Sequence, residues 1–169
     1  MIIKEKLGNI TDINVADRAI DYLLLEWYET TKRILHKTTT SGIDITLKFM
    51  AQNPNLTEGD VLFENEKTLI IVSIKPSDAM VIRPGSMYEM AFICYEIGNK
   101  HLPLFYDNDE LLVPYESPLF KMLLASGYKI AKEERKLLNP LKTSVTPHGH
   151  GTQSKSLFSK IMQLTSSND

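Results

Sequence analysis

This chain of 169 residues has very few of the groups that usually announce a function. A single cysteine, Cys94, excludes an internal disulfide and, with a charged start at Lys4-Glu5-Lys6 in place of a signal-peptide core, predicts a cytoplasmic protein. No apolar run approaches the roughly 18 residues of a membrane span. A net charge of −2 excludes the basic footprint of a nucleic-acid or anionic-membrane binder. There is no Gly-rich phosphate loop, no HExxH and no paired-cysteine zinc pattern. Asp107-Asn108-Asp109-Glu110 crowds four oxygen side chains but lacks the spacing and central glycine of a calcium loop, so it reads as a turn. No nucleophile, base and orienting group assemble from the order of residues, which argues against a hydrolase.

The 43% hydrophobic content is sufficient for a core in one domain or two small ones. Ile43, Ile45, Leu47 and Phe49 alternate with polar residues, the period of a half-buried strand, and the turn at 38–42 pairs it with a strand over 33–37. Val61-Leu62-Phe63 and Leu69-Ile70-Ile71-Val72 read as a second hairpin, and 22–27 is a further apolar stretch. Several short strands with turns between them predict a small β-sandwich or barrel over residues 1–75. Composition changes at Lys75-Pro76-Ser77-Asp78. Beyond it, Met80 to Ile82 reads as a strand, and Ser86 with Glu89 forms a capping box that starts a helix. Met87, Met90, Ala91, Cys94 and Ile97 form its apolar stripe, and Gly98 is the expected left-handed stop. Strands are expected over 101–106, 111–113 and 128–131. A second helix starts at Ser117 as N-cap, with Pro118 first inside. The order βαββαβ is the ferredoxin-like pattern, so the fold class is α+β: an N-terminal all-β domain, then a ferredoxin-like domain over 76–135. Lys132 to Lys136 alternate in sign and read as a solvated surface. From 136 to 169 periodicity disappears and the composition predicts a mobile tail, interrupted by a short amphipathic stretch at Leu157, Phe158, Ile161 and Leu164.

Four histidines remain as candidate ligands. His36, inside a hairpin, reads as an ordinary strand residue. His101 follows a helix stop, where rigid elements hold a side chain that still reaches the surface. Imidazole suits nickel, copper and zinc, but alone His101 is better explained as a solvated or hydrogen-bonded histidine. His148 and His150, separated by Gly149, can swing onto one ion; two histidines are a weak compositional signal, and a solvated loop is the alternative.

The segment Cys94-Tyr95-Glu96-Ile97-Gly98-Asn99-Lys100-His101, with Leu102-Pro103 after it, resembles the signature of urease accessory protein E, the nickel metallochaperone family of urease maturation. Met1-Ile2-Ile3 and Gly8-Asn9 match the family's start, and domain order and tail agree along nearly the whole chain. Lys100 stands where the family typically has arginine, which keeps the charge and loses the planar fork. The resemblance implies Ni2+ as cargo, with Zn2+ or Cu2+ competing, and His101, His148 and His150 as metal ligands. It implies a homodimer through the second domain, possibly a dimer of dimers, with two His101 side chains meeting at the two-fold axis. The N-terminal domain would resemble a peptide-binding chaperone module. The partners would be the urease apoprotein complex and the accessory GTPase, and no catalytic residues would exist. A second reading is an interaction module that bridges urease and the GTPase, with metal binding secondary. Only His148 and His150 stand in place of the polyhistidine tail of many members, which argues against large storage. Imidazole ligates in its neutral form, so retention of such an ion should weaken as pH falls through about 6.5.

Overall fold

Apolar residues at every second position fold the first part of the chain into strands that bury one face. The computed structural model describes residues 1–15, 17–50 and 53–141. Strands β1 (Ile2–Ile3), β2 (Gly8–Asn9), β3 (Ala19–Leu25), β4 (Ile34–Thr38), β5 (Asp44–Lys48), β6 (Asp60–Glu64) and β7 (Thr68–Ile74) make two sheets, ordered β1-β5-β4 and β2-β6-β7-β3. Both expected hairpins form: Leu35 pairs with Leu47, and Val61 with Ile71. Ile3, Ile45, Leu47 and Phe49 of one sheet pack on Leu23, Leu25, Ile70 and Val72 of the other, so the unit is a sandwich. The run 69–72 is apolar throughout because its sheet is covered on both faces. Leu69 and Ile71 lie under Ile10, Ile13 and Val15 on the side away from the sandwich core.

The second unit contains β8 (Ser77–Ile82), α1 (Met87–Asn99), β9 (Phe105–Asp107), β10 (Glu110–Pro114), α2 (Ser117–Ala125) and β11 (Ile130–Arg135). Its sheet is antiparallel throughout in the order β11-β8-β10-β9. That is the ferredoxin-like βαββαβ arrangement. One face of the sheet, from Met80, Ile82, Leu111 and Val113, packs on Ile93 and Ile97 of α1 and Leu119 and Leu123 of α2.

Several local expectations are corrected. The buried stripe of α1 runs through Ile93 and Ile97, with Met90 and Cys94 half-buried; Met87 is 88% exposed and Ala91 is also on the outside. The N-cap of α2 is Glu116, whose carboxylate accepts the Leu119 amide at 2.6 Å, and Ser117 is the first helical residue. The second strand of this unit begins at Phe105, not at His101, because the helix closure described below uses residues 101 and 102. The last strand reaches Arg135 and takes in most of the alternating charges. Its register places Glu133 opposite Ala79 and Arg135 opposite Ser77. Glu133 and Arg135 then join Arg83, Glu110 and Asp107 in one ionic network (2.6–3.1 Å), while Lys132 pairs with Asp78. Charges on an edge strand of this kind hide its strand character from a hydropathy pattern.

The sheet face away from the helices is closed by the rest of the chain. Trp27, just after β3, sets its ring edge-on to Phe105 at 5.6 Å and packs with Ala79, Val81, Leu112 and Leu137. Lys136 donates to Glu58 and Ser73 of the first unit at 2.8 and 3.2 Å, and Leu138 packs against the sandwich core. Residues 136–138, expected to open the tail, are therefore packed between the two units, and the exposed residues 139–141 are hydrogen-bonded along β9.

Asp21 supports the β4–β5 turn from the neighbouring sheet. Only 4% exposed, its Oδ1 accepts the Thr40 hydroxyl at 2.8 Å and the Ser41 amide at 2.9 Å. Burial alone would raise its pKa; the hydrogen bonds from Ser41, Thr39 and Thr40 outweigh burial and bring it to about 2. A carboxylate whose folded pKa lies below its unfolded value stabilises above the unfolded value, and that contribution disappears as pH falls through the folded one. Stability should therefore decline by about 2 kcal/mol between roughly pH 4 and pH 2 on account of this group. Urea unfolding across that range should show the slope in the native protein and a flatter profile in Asp21→Asn.

Candidate metal-ligating site

Helix α1 begins at Ser86, whose hydroxyl accepts the Glu89 amide at 3.2 Å, while the Glu89 carboxylate accepts the Gly85 amide at 2.7 Å. Its other end sets the position of His101. Gly98 and Asn99 remain helical, and Lys100 is the C-cap. His101 takes the left-handed conformation, with φ of 54°. Its amide donates to the Gly98 carbonyl at 3.0 Å, and the Leu102 amide donates back to the Ile97 carbonyl at 3.3 Å. These paired bonds form the Schellman closure, and Leu102 joins the core cluster that holds Ile97, the apolar contact that accompanies it.

The left-handed stop assigned to Gly98 thus belongs to His101. Glycine is the usual occupant of that position, and histidine is among the few side chains enriched there. A backbone held in this region costs about 1 kcal/mol or more, which is tolerated because Leu102 and two carbonyls determine it. The result is an exposed imidazole at the C-terminal end of a 13-residue helix, where the partial negative charge of the aligned peptides favours a cation.

His36, the other histidine among the described residues, places its Nδ1 3.0 Å from the Thr46 hydroxyl across the hairpin, in keeping with a strand residue. Cys94 lies 4.0 Å from the Met90 sulfur in the half-buried part of α1, and burial pushes its thiol pKa up, away from the thiolate a metal would want. Among the described residues no three His, Cys, Asp or Glu side chains come together as a ligand set. Among the described residues, one chain therefore brings one imidazole to this place. His148 and His150 lie outside the described residues.

Two family descriptions match this chain: UreE urease accessory protein, N-terminal domain, over residues 3–75, and UreE urease accessory protein, C-terminal domain, over 77–158. The chain belongs to the UreE family of urease accessory proteins. It is 45% identical over 164 residues to the urease accessory protein UreE of Flavobacterium johnsoniae, covering 97% of this chain and 99% of that one. The UreE of a Haemophilus influenzae strain is 40% identical over 153 residues, covering 88% and 82% of the two chains. That of a Helicobacter pylori strain is 41% identical over 130 residues, covering 75% and 76%.

Within this UreE chain, two features of the site were missed by pattern reading. One is the left-handed backbone of His101. Its signal was present in the apolar pair Ile97 and Leu102, five residues apart around a polar tetrad. The other is the outer face of α1. Met87, Tyr88 and Tyr95 are 88%, 76% and 67% exposed, and Ala91 and Gly98 lie between them on the same side of the helix. No described helix of the chain is long and apolar enough to cross a membrane.

The closure at His101 generates a test of its own. His101→Gly should be at least as stable as the native protein, since glycine is the preferred residue at this φ. His101→Ala should fall about 1 kcal/mol below His101→Gly. Urea denaturation of the two variants measures the difference, and equal stabilities would show that residue 101 is not held left-handed.

Proposed function

We propose that this chain is a nickel carrier of urease maturation, holding Ni2+ between the His101 side chains of two copies and releasing it to the urease assembly machinery. The observation that carries this reading is the fixed, exposed imidazole at the end of α1 in a chain that offers no second described ligand beside it. A two-fold axis supplies the second imidazole without further sequence. Two nitrogen ligands leave coordination positions open, and His148 and His150 would fill them and give them up one at a time on delivery. Copper binds nitrogen sites more strongly than nickel, and zinc competes, so the choice of nickel would rest on geometry, availability and partner.

The outer face of α1 supports the dimer. Tyr88, Ala91, Tyr95 and Gly98 repeat at three-four spacing, the seam by which one helix packs on another, with small residues alternating with large ones. A Cβ at Gly98 would meet nothing within 4 Å, so that turn is open to a neighbour's approach. The seam ends beside His101, so two copies packed along it in parallel would bring their imidazoles to the same end. We assign the accessory GTPase and the urease apoprotein complex as receiving partners, and the cytoplasm as the compartment in which the exchange occurs.

Calorimetry should find about one tightly held nickel ion per dimer, lost in His101→Ala; unchanged nickel affinity in that variant would sink the reading. Tyr95→Asp should convert the dimer to monomer in sedimentation analysis and weaken nickel binding with it. A Tyr95→Asp protein that remains dimeric would place the interface elsewhere.

A further inference from the structure

The second sheet has two edges, and only one of them is closed. Along β9 the Leu141 amide donates to the Leu104 carbonyl at 2.7 Å, and the Tyr106 amide donates to the Asn139 carbonyl at 3.1 Å. The other edge is β11. There the Arg83 amide donates to the Lys129 carbonyl at 2.9 Å, which sets the phase of the antiparallel β8–β11 ladder. Bonded pairs recur at every second residue, so Ala131, Glu133 and Arg135 turn their backbone groups toward β8. Ile130, Lys132 and Glu134 turn theirs outward, and among the described residues these amides and carbonyls have no hydrogen-bond partner.

The side chains on this edge alternate in sign, and one chain does not balance them. Lys132 and Glu134 stand on the helix-bearing face, in register with Met80 and Asp78 of β8. The Lys132 ammonium pairs with Asp78 at 2.8 Å and lies over the Tyr115 ring at 4.6 Å. Glu134 is exposed and has no ion-pair partner among the described residues, and its cross-strand neighbour is Asp78, of the same sign. Like charges directly opposite one another destabilise a ladder. A cation arriving from outside the chain would relieve Glu134.

We propose that the β11 edge docks on the β11 edge of a second copy, antiparallel about a two-fold axis, with Lys132 of each copy opposite Glu134 of the other. Charge selects both partner and register. Outward-facing residues pair only with outward-facing residues. Lys132 opposite Lys132, or Glu134 opposite Glu134, leaves like charges at the axis; the register between these two gives each residue its opposite. On the other face Glu133 then meets Glu133 of the copy, where each is already held by Arg83 and Arg135 at 2.9 and 3.1 Å. Charged side chains ordinarily guard a sheet edge. Alternating signs guard it against every strand but one that carries the reverse order, and an antiparallel copy is such a strand. The two facing pairs exchange four backbone hydrogen bonds, and two sheets become one of eight strands. The contact uses neither His101 nor the outer face of α1, so it does not depend on the carrier reading.

The test is sedimentation of the full-length protein with a chelator present, so that no metal bridges the copies. From about 10 µM to about 1 mM, the range of small contacts, the average mass of the native protein should rise. Glu134→Lys places an ammonium opposite Asp78, which suits the folded strand, but sets lysine against lysine across the axis and should weaken the association at least about 10-fold. Lys132→Glu sets glutamate against glutamate and should weaken it as much. An equal mixture of the two variants faces every glutamate with a lysine and should associate as the native protein does. Amide exchange at Lys132 and Glu134 should slow as the native protein is concentrated, and should stay unchanged in Glu134→Lys. Undiminished association in Glu134→Lys overturns the proposal, as does a mixture of folded variants that fails to associate. Exchange at these two amides that is the same at both ends of the concentration range overturns it whether or not Lys132→Glu folds.

Discussion

A four-stranded sheet with both helices on one side leaves its second face bare, and this molecule is organised around covering it. Part of the face is made ionic by the network of Arg83, Glu110, Glu133, Arg135 and Asp107. The rest is apolar, at Ala79, Val81 and Leu112, and needs a lid. Trp27 from the first unit and Leu137 from the end of the second provide it together. The relation of the two units, the course of the chain after β11 and the closing of the β9 edge all follow from that shared layer. An indole and an aliphatic side chain buried in this way contribute several kcal/mol, more than the partly exposed bridge from Lys136 to Glu58 can.

Much of this was legible in the residues. Alternation at Ile43–Phe49, the doubly covered run at 69–72 and the capping box at Ser86 each gave the right element, because in each the local pattern and the tertiary environment ask for the same thing. Misreadings arose where two patterns compete. Glycine at 98 is the commoner helix stop, but the apolar closure needs a residue that follows Ile97 by five, which only Leu102 supplies, and that shifts the left-handed residue to His101. Met87 and Ala91 fit a helical stripe as well as Ile93 does. Which stripe faces inward depends on the sheet beneath, and nothing local encodes that. The second half of β11, from Lys132, carries too many charges to look like a continuation of the strand expected over 128–131, yet its partner β8 is largely buried, so backbone pairing and ion pairs hold it.

The imidazole of His101 shows the site built by backbone. Among the described residues no side chain orients it through a hydrogen bond; its place comes from two amides, two carbonyls and the apolar partners of Leu102. A side chain fixed in this way is rigid at its root and unencumbered at its ring, which is what the proposed carrier role would ask of it. Family membership adds the biological setting, urease maturation, and nickel belongs to the proposed function. Chemistry alone would name several metals.

The placement of Trp27 has a consequence for synthesis. The sandwich has all its strands once residue 74 is made, and Trp27 is already attached to it. Its partners Phe105 and Leu137 come later, the second of them 63 residues after β7 ends. At about 5–20 residues per second, roughly 3–13 s pass in which a folded first unit presents an indole with no lid. That interval, rather than any weakness of the finished molecule, is when a nascent chain of this design is most open to sticking to its neighbours.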